Sequence, residues 1–174
     1  MMAAGTQTAT IIAGGESTNT NNTEIYDGSS WTEVNNLVSG ARYGLSGFGS
    51  ITAAIAAGGY PPTAGANSTE SWDGTSWSEV NNLNTPRYAF GTAIGSPSTA
   101  GMAMGGITSP GHGNETANTE DWDGTSWSEQ NNMLTARAEA TGTGIATAAI
   151  ACGGSPGSGV STLTDKVESW DGTC

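Results

Sequence analysis

Three series of carboxylates repeat along this 174-residue chain: Glu24, Glu70, Glu120 and Glu168; Asp27, Asp73, Asp123 and Asp171; and Glu33, Glu79 and Glu129. Paired carboxylates can hydrolyse glycosides, one as acid and the other as base or nucleophile. A group that returns at the same place in every copy of a repeat is more simply structural. Each Asp of the second series precedes a Gly, where its side chain can bond the backbone of its own turn. The Glu24 series is matched by one arginine per repeat, at Arg42, Arg87 and Arg137. Three arginines could clamp a substrate carboxylate, but their symmetric spacing favours ion pairs between neighbouring repeats. The single histidine, His112, lies in Pro110-Gly111-His112-Gly113 and reads as an exposed loop residue. One His with Cys152 and Cys174 cannot build a His/Cys metal cluster. No D-x-D-x-D-G calcium loop occurs. The expectation is a chain without enzymatic activity, metal or cofactor.

The elements that position these groups come from one motif. Residues 69–83 read T-E-S-W-D-G-T-S-W-S-E-V-N-N-L, and residues 23–37 and 119–133 are close copies. A fourth copy starts at Val167 and reaches Cys174, so the sequence reads as a repeat protein interrupted inside a repeat. Double glycines at Gly14-Gly15, Gly58-Gly59, Gly105-Gly106 and Gly153-Gly154 step by 44, 47 and 48 residues. That period, with short strands, is the length of a propeller blade. The repeats run about 1–37, 42–83, 87–133 and 137–174, in one domain.

Each repeat parses into four strands. The first are residues 43–50, 88–94 and 138–144, with a clipped counterpart at 2–7. The second are 8–13, 52–57, 99–104 and 146–152, and the double glycines bound them at strand length. The third and fourth, 68–72 and 76–81 with their equivalents, meet at the Asp73-Gly74 hairpin signal. Trp72 and Trp77, like Trp122 and Trp127, then flank the turn, where paired aromatics pack across a hairpin. The segments between strands two and three vary in length and are rich in Gly, Pro, Ser, Thr and Asn, so they are loops. An antiparallel meander puts these loops on one face with Arg42, Arg87 and Arg137, and the Asp-Gly turns on the other. Tyr60 and His112 are the exposed binding candidates of the loop face.

Leu, Ile, Val and Phe make only 21 of 174 residues, and the net charge is -12. Such a composition alone suggests disorder. Regularly spaced charge and six Trp at fixed repeat positions argue instead for a folded chain, with inner strands of Ala, Gly, Thr and Ser. Four cations in an acidic chain provide no basic patch for nucleic acid. They offer little to an anionic membrane surface, and no apolar run is long enough to span a bilayer. Residues 1–6 lack the basic start and apolar centre of a signal peptide.

The combination resembles the kelch repeat: Gly58-Gly59 closing strand two, Trp72 before the hairpin turn, Trp77 opening strand four, and Pro86-Arg87 leading into the next repeat. The resemblance covers nearly the whole chain and implies an all-β propeller of four-stranded antiparallel blades. The first two strands carry fewer aliphatics than kelch strands usually do. Similar Ala/Gly/Thr-rich repeats occur among predicted phage and marine microbial proteins, which hints at a virion or extracellular setting. The radical-copper oxidases built on kelch propellers need several ligands absent here. WD40 repeats share Trp72-Asp73 but lack the double glycine, and the sialidase Asp-box is one residue longer than the turn in this chain.

About four repeats, the last without strand four, would leave an open sheet edge, which invites pairing. Two expectations follow in equal measure: two chains join into one ring of about seven or eight blades, or the chain is part of a longer protein. The expected function is an interaction or assembly module, with protein partners, chiefly its own kind. Glycan recognition by the loop face is the alternative, and a fragment of a propeller hydrolase or oxidase is a further one.

Overall fold

The computed structural model describes residues 1–15, 20–60, 67–93, 95–110, 113–157 and 163–172. It is an all-β propeller of four blades. The first blade comprises β1 (Met2–Thr6), β2 (Ala9–Gly15), β3 (Thr20–Tyr26) and β4 (Trp31–Val34). The second comprises β5 (Ser46–Ser50), β6 (Ala53–Ala57), β7 (Thr69–Trp72) and β8 (Trp77–Val80). The third comprises β9 (Gly91–Thr92), β10 (Gly101–Met104), β11 (Thr119–Trp122) and β12 (Trp127–Gln130). The fourth has β13 (Thr141–Ile145), β14 (Ala148–Cys152) and β15 (Val167–Trp170). Within each blade the strands pair antiparallel in sequence order, as a meander. The first strands are innermost: β1 lies against β5, β5 against β9 and β9 against β13.

The small residues of the inner strands have a packing cause. Blades converge toward the axis, and a Cβ on Gly101 would stand 2.1 Å from the Phe48 ring of the preceding blade. No side chain fits there. Hydroxyls join the first strands of neighbouring blades. Ser46 Oγ donates to the Phe90 carbonyl at 2.6 Å, and Thr92 Oγ1 donates to the Gly47 carbonyl at 3.1 Å. Larger apolar side chains fill the gaps farther out. Ile11, Leu37, Ala56, Trp72 and Trp77 pack between blades one and two; Phe48, Ile55, Leu83, Trp122 and Trp127 between two and three; Met102, Met104, Ala149 and Ala151 between three and four.

The first strands begin later than the sequence suggests, at Ser46, Gly91 and Thr141 instead of residues 43, 88 and 138. Tyr43, Tyr88 and Ala138 make only isolated bridges, to Tyr60, Ile107 and Ser155. The next residue is left-handed in each case: Gly44 at φ 64°, Ala89 at 52° and Glu139 at 58°. Extended backbone cannot pass through that conformation. The kink lets each blade bond the next, with Ala89 N–H on the Gly44 carbonyl and Glu139 N–H on the Ala89 carbonyl, both at 2.7 Å.

The Asp-Gly hairpins form as expected. Asp73 Oδ1 accepts from the Thr75 and Ser76 N–H groups, each at 2.8 Å, and Gly74 supplies φ 96°. Trp72 pairs with Trp77 across the strands, ring centroids 5.4 Å apart, and Trp122 with Trp127 at the same distance.

Candidate functional site

The arginines lie inside the blades. Arg42, Arg87 and Arg137 are buried, although arginine is seldom fully buried without a partner. Arg42 Nη2 meets Glu70 Oε1 at 2.9 Å, Arg87 Nη2 meets Glu120 Oε1 at 2.6 Å, and Arg137 Nη2 meets Glu168 Oε1 at 2.8 Å. Nη1 donates to backbone carbonyls: Gly58 and Ser68 for Arg42, Gly105 and Asn118 for Arg87. Burial pushes the Arg42 and Arg87 guanidinium pKa values down, while Glu70 and Glu120 hold them up. Each glutamate also accepts from the tail of the preceding blade. Val38 N–H reaches Glu70 Oε2 at 2.7 Å, and Asn84 N–H reaches Glu120 Oε2 at 2.7 Å. The ion pair therefore ties each blade to the chain that enters it. In this arrangement the three arginines are stitches between elements, without a free guanidinium at the loop face.

Glu24 occupies the same position in blade one, where it is half-buried, and the chain's three arginines are all engaged by the other blades. Other exposures follow suit. Trp31 is 49% exposed, against 3% for Trp77 and 5% for Trp127. At the far end Ile150 is 40% exposed, against 0% for Ile11, 2% for Ile55 and 0% for Met102 at the equivalent register positions. Val167 is 62% exposed, where Thr23, Thr69 and Thr119 are buried. Blade one and blade four thus each present an uncovered face built to the pattern of the covered ones.

The loop face gathers an aromatic group that sequence reading missed. Tyr60 lies against Tyr43 and Tyr88, with ring centroids 5.3 and 5.2 Å apart, and Tyr43 to Tyr88 is 6.5 Å. All three are half-buried. The arginine-tyrosine dipeptides Arg42-Tyr43 and Arg87-Tyr88 were a readable signal, but only the meander brings them beside Tyr60. His112 lies outside the described residues. Among the described residues no three His, Cys, Asp or Glu side chains group to hold a metal.

The fold is similar to that in the solved structure titled "Structure of YjhT", with a TM-score of 0.78 at 12% identity. The match covers 98% of this chain and 61% of that one, so this chain spans about three-fifths of its neighbour's length. No family profile matches the sequence. No curated protein matches it either. At that identity the likeness speaks to the fold alone. The propeller architecture is thereby supported from two sides, the strand pairing and the structural neighbour.

Proposed function

We propose that this chain is a non-catalytic, kelch-like interaction and assembly module whose end blades associate with further blades of the same kind in a closed ring. The observation that carries the reading is the pair of uncovered end faces. Trp31, Ile150 and Val167 are exposed at positions buried in the interior interfaces, and Glu24 waits at the position where three other glutamates have arginines. Exposed apolar positions that are core elsewhere in the same repeat favour association. What supports the non-catalytic reading is the structural role of two carboxylate series: Asp27, Asp73 and Asp123 hold their turns, and Glu70, Glu120 and Glu168 pair with arginines. A virion or extracellular setting rests on the resemblance in composition only. The test is sedimentation equilibrium of the whole chain at micromolar concentration. A mass above the 17.4 kDa of one chain is expected; a strictly monomeric chain would contradict the reading.

Glycan recognition by the loop face is the second reading. The Tyr43–Tyr60–Tyr88 group favours it, because aromatic faces stack on sugar rings and three half-buried tyrosines offer more than Tyr60 alone. A glycan array showing saturable binding that Tyr60→Ala abolishes would support it. No binding by the assembled protein would exclude it.

A further inference from the structure

Three tyrosines meet on the loop face between blades two and three. Tyr43 and Tyr60 stand opposite each other, joined by the Tyr60 N–H on the Tyr43 carbonyl at 2.7 Å. Tyr88 comes in from the next blade, and Gly44 leaves room for it: a Cβ on Gly44 would lie 3.3 Å from the Tyr88 ring. The rings tilt against one another with centroids 5.2 to 6.5 Å apart, and each keeps part of its surface in solvent. Beside them Ile107 pairs with Tyr88 on one side and with Glu115 on the other. Two strand spacings put the Glu115 backbone about 10 Å from that of Tyr88.

Aromatic faces accept a sugar ring or a cation, and the charge around them decides which. Arg42 and Arg87, the residues before Tyr43 and Tyr88, are buried against Glu70 and Glu120. Arg137 is paired with Glu168 in the same way. Three of the chain's four cations are thus neutralised by ion pairs within the fold. The net charge of -12 is carried by the remaining carboxylates, against Lys166 alone. Such a surface raises the local concentration of cations and speeds their encounter. A ring face then holds a guanidinium that comes within about 6 Å of its centroid.

We propose that the Tyr43–Tyr60–Tyr88 group is a docking site for an arginine side chain of a basic polypeptide. The guanidinium stacks on the solvent-facing parts of the rings, and basic residues flanking it face carboxylates such as Glu115. Arginine suits the site better than lysine, because its planar guanidinium stacks on aromatic faces as well as carrying charge. Arg42 and Arg87 oppose it little, since Glu70 and Glu120 cancel their charge. The proposal rests on the reading of this chain as an interaction module. It names the chemistry of a partner other than a second copy, which has the same acidic surface.

The probe is a fluorescein-labelled peptide whose arginines are spaced by Gly and Ser, titrated against the whole chain and read by fluorescence polarisation. Saturable binding is expected, weakening as salt rises. Citrulline in place of each arginine keeps the shape, removes the charge and should weaken binding about tenfold or more. Tyr60→Ala should weaken it about threefold to thirtyfold, and Tyr60→Phe, which keeps the ring, should leave it within about twofold. Where Tyr60→Ala shifts the melting curve, Tyr60→Leu replaces it with the same expectation. No saturable binding, a citrulline peptide that binds as well, or a variant without a ring at position 60 that binds like the original would overturn the proposal. A neutral oligosaccharide that occupies the tyrosines while the arginine peptide is ignored would overturn it in favour of the glycan reading. Sedimentation without peptide reads the ring separately. A chain that associates yet ignores the peptide overturns this site and leaves the assembly reading standing, and a monomer that binds the peptide does the reverse.

Discussion

Trp77 Nε1 donates to Thr23 Oγ1 at 3.0 Å, from the fourth strand of one blade to the third strand of the blade before it. Both groups are buried, so neither can turn to water if its partner is lost. Thr23→Val keeps the shape and removes the acceptor. It should cost about 1–3 kcal/mol, the range for a buried polar group left unpaired. Trp31→Phe, at the half-exposed end position, should change stability by less than about 0.5 kcal/mol. Urea unfolding of the dilute chain measures both, and equal losses would contradict the blade-by-blade burial described.

The ion pairs make a similar contrast. Glu120→Gln leaves Arg87 buried without its countercharge and should destabilise by about 3–5 kcal/mol. Glu24→Gln, at the same position of blade one, should cost less than about 0.5 kcal/mol. The comparison of urea midpoints decides it.

The Asp-Gly turns predict an acid-dependent effect. Hydrogen bonds from the Ser30 N–H, then the Ser29 hydroxyl and N–H, lower the Asp27 carboxyl from 3.8 to about 2. Asp73 and Asp123 are lowered too, first by Ser76 and Ser126 N–H groups. A depressed carboxyl stabilises the fold fully above its unfolded pKa, and that contribution fades as pH falls through the folded one. For Asp27 the window runs from about 4 down to about 2. Carboxyl NMR titration should give an Asp27 midpoint near 2, and a midpoint at 3.8 or above would refute the turn geometry.

Val167 stands where Thr23, Thr69 and Thr119 stand in the other blades. If blade one of one copy meets blade four of another, Trp31 Nε1 faces a side chain without an acceptor. Val167→Thr should then tighten self-association about threefold to tenfold. Sedimentation velocity across a dilution series reads the change. An unchanged or weakened association would speak against end-to-end contact.

Much of the blade was legible because repetition separates scaffold from site. Asp73-Gly74 and the Trp72–Trp77 pair recur with fixed spacing, and local turn chemistry explains both. The late starts of β5, β9 and β13 were hidden, since nothing in Tyr88-Ala89 or Ala138-Glu139 signals a left-handed residue. Contact with the neighbouring blade imposes that conformation. The burial of Arg87 was equally hidden, since composition places arginine at surfaces and only tertiary packing encloses it with Glu120. Tyr43, Tyr60 and Tyr88 meet because the chain entering blade two, the end of its second strand and the chain entering blade three come together, a relation with no sequence period.

The most direct test of the account is electron microscopy of the purified chain at micromolar concentration, viewed down the propeller axis. The account predicts closed rings of about seven or eight blades, within the range in which propellers close. Particles with only four blades, uncovered at Trp31 and Val167, would contradict it.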